Sequence, residues 1–449
     1  MFFRIKIMRT QKVLFFLALL VSGTFLNAQL PGFELSGYAA VEGDGYATTT
    51  GGEGGDTVVV THLSELEAFA GEREKVFTPV VLILNGYFEA APSKTITFKH
   101  GANLSILGGG EGAELKGVGI RIWDYHNVIV RNLKIHEVFY PDDALSVEEC
   151  HHVWVDHNEL HSQMGPGIGV DTYDGLLDIK KGSRFVTVSW NYLHDHMKCM
   201  LIGHTDNATQ GEEDQAIRVT IHHNIFENTD GRNPSLRWGA AHIYNNLYSN
   251  IADYAIALRQ GAHGLVENNL FHNVNLAVST NKFDGEGFAC MSGNTYSGTT
   301  LESKNSITQT GCDFWDSLPY DYTPDSTQNL EALLRDNTGV GILNDVNPNS
   351  VEQVTTFEPF NVFPNPTSGE FFVSFSTEKN AHYTIAVYNL HGEKLFSENV
   401  RSHFTGQNQV FVNMKSFQQG IYIISLSTSQ GVKTKRIMIS NLQKIIGFS

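Results

Sequence analysis

The chain has 449 residues, 42 of them glycine and only 18% of them charged, a composition that suits one large folded domain with a smaller companion and excludes a disordered polyelectrolyte. Acidic residues outnumber Lys plus Arg by 48 to 31, a net charge of −17, which excludes broad electrostatic capture of nucleic acid or anionic membrane. An anionic ligand would need a local basic site or a bridging cation.

In chain order, residues 1–28 come first, with Arg4, Lys6, Arg9 and Lys12 ahead of the apolar run Val13–Val21 and a small residue, Ala28, before Gln29. A basic flank, a run too short to span a bilayer and a small residue at the cut read as a secretory signal peptide, so the mature chain is expected to begin near Gln29. No later segment approaches ~18 consecutive apolar residues, so no membrane span is expected after the signal is removed.

Between Asn127 and Asn294 one pattern recurs: β-branched residues alternate up to an Asn, as in Val128–Asn132, Val153–Asn158, Val186–Asn191 and Val219–Asn224, with further copies ending at Asn246, Asn269 and Asn294. Each copy has the period of two of a strand, and a recurrence of 22 to 33 residues implies a stacked supersecondary unit. The Leu frame of horseshoe repeats and the Gly-His and Trp-Asp signature of propellers are both absent, which leaves a parallel β-helix. In that fold Asn at one fixed turn can stack on the next, each amide donating to the next carbonyl and supporting a left-handed turn, so the series is read as a structural ladder. The two longest repeats hold extra residues, Ser162 to Tyr173 and Thr205 to Gln215, and insertions on one face of a solenoid are where binding sites are built.

Within these repeats, Asp174 and Asp178 lie four apart, so in a strand they point to one side, and Asp143 occupies a comparable place one rung earlier. Three hard oxygen ligands on one face suit Ca²⁺; ordinary surface acids are the plain alternative. Lys198, Arg232 and Arg237 follow, and Arg presents a planar fork that fits a carboxylate where Lys supplies a point charge. Singly, each cation is more often a structural ion-pair partner. His194, His196, His222 and His223 raise a zinc reading, but their spacing does not deliver three convergent ligands. Paired carboxylates also serve glycoside hydrolysis, which would leave the neighbouring cations without a task. Cys150, Cys199, Cys290 and Cys312 allow three complete pairings, of which Cys290 with Cys312 is the preferred bridge; four free thiols are the alternative.

Residues 344–360, with Asn-Asp-Val-Asn-Pro-Asn-Ser, lose the repeat and read as a linker. Beyond it, residues 361–449 hold short alternating strands between turn signals, which argue a small β-sandwich. The Pro364-Asn-Pro366 opening, Tyr388-Asn-Leu-His-Gly392, Gly420-Ile-Tyr422 and the basic Lys433–Arg436 resemble the C-terminal sorting domain of type IX secretion cargo. That resemblance implies the type IX machinery as a partner; an adhesion or carbohydrate-binding sandwich is the alternative. One departure is that Asn441–Ser449 follow the final basic strand, where such domains usually stop.

Five segments in order, Thr49–Gly55, Val153–His157, Asp174–Ser183, His194–Gly203 and Arg232–Gly239, resemble the pectate lyase superfamily, polysaccharide lyase family one. The resemblance implies an all-β chain, with a right-handed parallel β-helix over residues 29–343 followed by the small C-terminal β-sandwich. It implies a secreted, monomeric enzyme that cleaves polygalacturonate by calcium-dependent β-elimination. By position, Asp143, Asp174 and Asp178 match the calcium-binding carboxylates, Arg232 the catalytic base, and Lys198 and Arg237 the contacts to substrate carboxylate. Some relatives carry a further Arg where this chain has Ser235. The Val153–His157 segment reads as core packing and hydrogen bonding. An arginine base, protonated at neutral pH, implies activity rising well above pH 7. Pectin lyases share the fold without the calcium carboxylates, so the three acids favour pectate. A non-catalytic pectin-binding β-helix, the rival of a different class, would be expected to lose Arg232 or Lys198.

Overall fold

The computed structural model describes residues 33–299, 310–343, 360–377, 382–389, 394–402, 405–428 and 431–440. The signal peptide read over residues 1–28 lies outside the described residues, as do residues 344–359 of the linker and the tail 441–449. The described residues fall into two compact units, one drawn from 1–107 and 112–342 and the other from 108–111 and 343–449.

The alternation of β-branched residues seen in the sequence becomes three columns of parallel strands wound into a right-handed β-helix. The first column stacks His151–Asp156, Arg184–Ser189, Arg218–His222, Ala240–Tyr244, His263–Glu267 and Phe288–Ser292. The second runs Leu133–His136, Glu159–His161, Tyr192–Lys198, Ile225–Gly231, Leu247–Ile251, Leu270–Val274 and Thr295–Ser297. The third runs Leu145–Glu148, Leu177–Lys180, Leu201–Ile202, Ser235–Arg237, Ile256–Arg259 and Val278–Ser279. Inward-facing Val153, Val186, Val219 and Ala241, at one register position, join a continuous apolar core. Each fully buried Val or Leu contributes roughly 1.5–3 kcal/mol. Helix Leu63–Glu72 packs Leu66 and Phe69 against that core, with Phe69 edge-on to Phe98.

The Asn ladder runs through the solenoid, with Asn158 donating its side-chain amide to Asn191, Asn191 to Asn224, Asn224 to Asn246, Asn246 to Asn269 and Asn269 to Asn294 at 2.9–3.0 Å. Two details differ from the sequence reading. The left-handed residue is the one before each ladder Asn, as at His157, Trp190, His223, Asn245, Asn268 and Gly293, while the side-chain carbonyls of Asn191, Asn224, Asn246, Asn269 and Asn294 accept from the backbone N–H of the ladder Asn one rung back. Asn132 is one residue out of phase: Arg131 pairs with Asp156, so Asn132 aligns with His157 and is itself left-handed, and it is Leu133 that meets Asn158 through its backbone N–H.

Cys290 and Cys312 form a disulfide, while Cys150 and Cys199 are buried free thiols. Burial pushes the Cys150 thiol up to about 12 and Cys199 upward as well, so both behave as small apolar core residues. In the second unit, a three-stranded antiparallel sheet of Asn361–Phe363, Glu370–Thr377 and Gly406–Asn413 and a four-stranded sheet of His382–Tyr388, Lys394–Arg401, Gly420–Thr428 and Gly431–Ile439 share a core. Phe371, Val373, Phe375, Ile385, Val387, Ile424 and Leu426 fill it. No helix among the described residues is long and apolar enough to cross a membrane.

Candidate active site

The three aspartates are positioned by neighbouring rungs of the third column. Leu145 pairs with Leu177 and Ser146 with Asp178, which sets Asp143 beside Gly175; the Gly175 N–H donates to Asp143 Oδ1 at 3.0 Å. Asp178 Oδ1 accepts from the backbone N–H of Leu201 at 3.0 Å, tying it to the following rung. A Cβ on Gly175 would stand 2.4 Å from Asp178 Oδ1 and 2.9 Å from Asp143 Oδ1, so both carboxylates crowd the space that only glycine leaves open.

Lys180 lies between them, its Nζ 2.7 Å from Asp143 Oδ2 and 3.0 Å from Asp178 Oδ2. Burial, followed by the charge of Asp178, pushes the Asp143 carboxyl up to about 7 in spite of Lys180. One lysine therefore leaves the pair short of positive charge. Asp174 stands slightly apart, more exposed, and pairs through Oδ1 with Lys198 at 2.9 Å; Asp171 from the Ser162–Tyr173 insertion meets the same Lys198 at 3.1 Å. The oxygen-rich donor set fits a hard cation such as Ca²⁺, with Asp143 and Asp178 adjacent and Asp174 in the loop that leads into the strand of Asp178.

Lys198 ends its strand opposite Gly231, which places Arg232 on the next rung. Arg232 has φ 61°, a left-handed conformation costing a non-glycine residue roughly 1–2 kcal/mol, and it re-aims the side chain at the end of the strand. Among the described residues Arg232 makes no ion pair, whereas Lys198 has two carboxylates and Arg237 is held by Asp206 at 3.0 Å. Asp206 also takes Arg259 at 2.6 Å, from the rung after Arg237. Burial lowers the Arg237 pKa against the pull of Asp206, and the like charges of Arg259 and Arg232 add to the lowering. The structure thus brings all six sequence-predicted residues to consecutive rungs.

Sequence reasoning missed Lys180, Asp171, Asp206 and Arg259. Lys180 had a signal, since it lies two residues after Asp178 and a strand turns both to one side. Asp206 had only its place in the Thr205–Gln215 insertion, and its pairing with Arg259, 53 residues away, had no signal. The four histidines of the zinc reading separate: Asp195, at φ 49°, breaks the alternation, so His194 faces outward while His196 turns inward between Ser162 and the Asp174 carbonyl. Burial drives His196 down to about 4, which keeps it neutral and lets it hold the Asp174 backbone. His222 and His223 lie in the first column and at the turn after it, where His223 pairs with Asp325. In the Val153–His157 segment, Asp156 is fully buried and accepts from Arg131, His157 and Ser189 at 2.6–2.7 Å. Burial works to raise its pKa, and those partners outweigh it and hold the carboxylate below its usual value. That is a structural network, as the sequence suggested.

A comparison with protein families matches residues 16–343 to the family described as pectate lyase, and residues 361–440 to the secretion system C-terminal sorting domain. The chain belongs to the pectate lyase family. The pectate trisaccharide-lyase of Bacillus licheniformis is 39% identical over 319 residues, spanning 70% of this chain and 89% of the relative. A solved pectate lyase from Bacillus sp. N165, in complex with trigalacturonate, superposes with a TM-score of 0.62 at 31% identity, over 69% of this chain and 99% of that one. Pectate lyase II of Xanthomonas campestris gives 0.62 at 29% identity, again over 69% and 99%. As a pectate lyase, the chain is a polysaccharide lyase, so its paired acids are not the acid and base of a glycoside hydrolase.

Proposed function

We propose that this pectate lyase acts on polygalacturonate by calcium-dependent β-elimination, with Arg232 as the base. The observation that carries this reading is the difference among the three cations. Lys198 and Arg237 are held in place by carboxylates, while Arg232 between them has no ion pair among the described residues and is anchored through its backbone carbonyl, which accepts from the Met200 N–H. Lys198 and Arg237 take the carboxylate of one galacturonate unit and favour the charge that develops on it as C5 loses its proton. Arg232 receives that proton, the C5–H electron pair forms the C4–C5 double bond, and the C4–O bond breaks with its oxygen taking a proton from solvent. Asp143, Asp174 and Asp178 would hold Ca²⁺, which when bound supplies positive charge against substrate carboxylates. Lys180 keeps Asp143 and Asp178 together before the cation arrives.

The C-terminal domain points to export, and the enzyme is released or held at the cell surface after passage through the type IX machinery. The test of the catalytic reading is ultraviolet absorbance of unsaturated product from polygalacturonate at alkaline pH. A rise that chelator abolishes, and that Ca²⁺ but not Mg²⁺ restores, is the expected result. Cleavage that is indifferent to chelator would remove the calcium assignment, and new reducing ends without absorbance would remove elimination.

A further inference from the structure

On the second column, a different column from the aspartates, strand Glu159–His161 lies between Leu133–His136 and Tyr192–Lys198. Register places His161 on His194 and Glu159 beside Tyr192, and the period of two turns Glu159 and His161 to the same side. The His161 and His194 rings stack with centroids 4.7 Å apart and planes 17° from parallel. Glu159 Oε1 lies 3.5 Å from His194 Nε2 and 3.9 Å from His161 Nε2. One donor atom from each of the three residues falls within 4.8 Å of the others.

The ring hydrogens are committed elsewhere. His161 Nδ1 is 3.2 Å from the Ser162 carbonyl and His194 Nδ1 is 2.7 Å from Asp195 Oδ2. Both partners are pure acceptors, so each Nδ1–H donates, and in the neutral ring each Nε2 is left with a lone pair. Both Nε2 atoms are buried and have no hydrogen-bond partner among the described residues. Lys134 neutralises the Glu159 oxygen from one side, and the near-parallel stack sets the two Nε2 lone pairs side by side, so that a turn of each ring about its Cβ–Cγ bond brings both onto one ion beside that oxygen. A carbonyl or carboxylate holding the far Nδ1–H is also the arrangement that orients imidazoles toward a metal.

We propose that Glu159, His161 and His194 form a second metal site, for a zinc-class divalent cation, distinct from the aspartate cluster. Two imidazole nitrogens and one carboxylate are the donors that Zn²⁺ accepts in three-ligand sites, and they are poor donors for Ca²⁺, which takes six to eight oxygens. The site joins two successive rungs of the solenoid, so an ion there acts as a clip between them. Its competitor is Lys134, whose Nζ is 3.1 Å from the same Glu159 oxygen; a half-exposed lysine can swing outward on its flexible stem. The rival arrangement, a second proton on His194 shared with Glu159, predicts no stoichiometric zinc.

The experiment takes the full chain, stripped with chelator and returned to buffer with excess Ca²⁺ to fill oxygen sites, and titrates it with Zn²⁺ by calorimetry. One Zn²⁺ per chain is expected, with affinity falling at least tenfold in His161→Gln and in His194→Gln and holding in Asp178→Asn. The thermal midpoint of the unsubstituted chain should rise with Zn²⁺, and that of His161→Gln should not. Should either histidine variant fail to fold by circular dichroism, Glu159→Gln carries the same comparison. Absence of stoichiometric uptake, or uptake that survives loss of these ligands, overturns the proposal.

Discussion

Arg232 is the residue whose replacement separates chemistry from architecture. It sits partly exposed at φ 61° with no ion pair among the described residues, so Arg232→Ala removes the proposed base without breaking an ion pair. The expected outcome is a fall in elimination rate of about 10²–10⁴-fold, the range for loss of a general base, with the calcium concentration for half-activation unchanged. A rate within tenfold of the parent would move the base elsewhere. Gly175 tests the opposite half of the site. A methyl there would lie 2.4 Å from Asp178 Oδ1, closer than real contacts allow, so Gly175→Ala must drive the carboxylates apart. The calcium requirement should rise about tenfold, equivalent to ~1.4 kcal/mol, with kcat at saturating calcium largely retained. An unchanged calcium midpoint would mean that Asp143 and Asp178 do not hold the ion.

At the scale of elements, two asparagine ladders serve different ends. Asn224 is fully buried, and its amide donates to Val188, His222 and Asn246 while its carbonyl accepts from Asn191. Asn224→Ala leaves several buried backbone and side-chain groups unpaired, and the expected loss is about 2–4 kcal/mol in urea unfolding. The second ladder, Asn228, Asn250 and Asn273, runs on the outside, where each Asn is itself left-handed. Asn250→Ala should cost only about 1 kcal/mol, since water replaces the lost bonds and only the left-handed preference is forfeited. Equal losses would contradict the distinction. The inner ladder was legible in the sequence because a strand repeat fixes which side chains face inward, and the same regularity placed Asp143 near Asp178. What alternation does not encode is a left-handed residue inside a strand. Asp195 therefore sent His194 and His196 to opposite sides, and Asn132 slipped one place from the ladder. Loop contacts such as Asp206 with Arg237 and Arg259 follow from the winding of whole rungs, which no local pattern records.

At the scale of the whole molecule, the solenoid buries many neutral histidines. Burial lowers the pKa of His151 and His196 to about 4, drives His222 well below its usual value, and lowers His152, His161, His223 and His242. An unfolded chain protonates each of these near its ordinary value of ~6.5 and the native chain does not, so stability falls as pH drops below that value and levels off near the lowered native pKa. For His196 alone a shift to about 4 corresponds to roughly 3 kcal/mol, and partly exposed members such as His151 add less. Asp143 and His194 run the other way: the raised Asp143 carboxyl takes up a proton in the native state as pH falls through about 7, and the burial of His194 is outweighed by Glu159 and Asp195, which raise it, but the lowered histidines, His126 and His263 among them, outnumber these two. All five tryptophans, Trp123, Trp154, Trp190, Trp238 and Trp315, precede the C-terminal sandwich, so their fluorescence reports on the solenoid alone. The urea midpoint followed by that signal should be flat from alkaline pH down to about 7 and then fall steeply toward about 4; a midpoint that stays level over that span would mean the histidines ionise within the fold. Because an arginine base also demands alkaline conditions, activity and the stability plateau should occupy the same side of neutrality, where none of these buried imidazoles carries a charge.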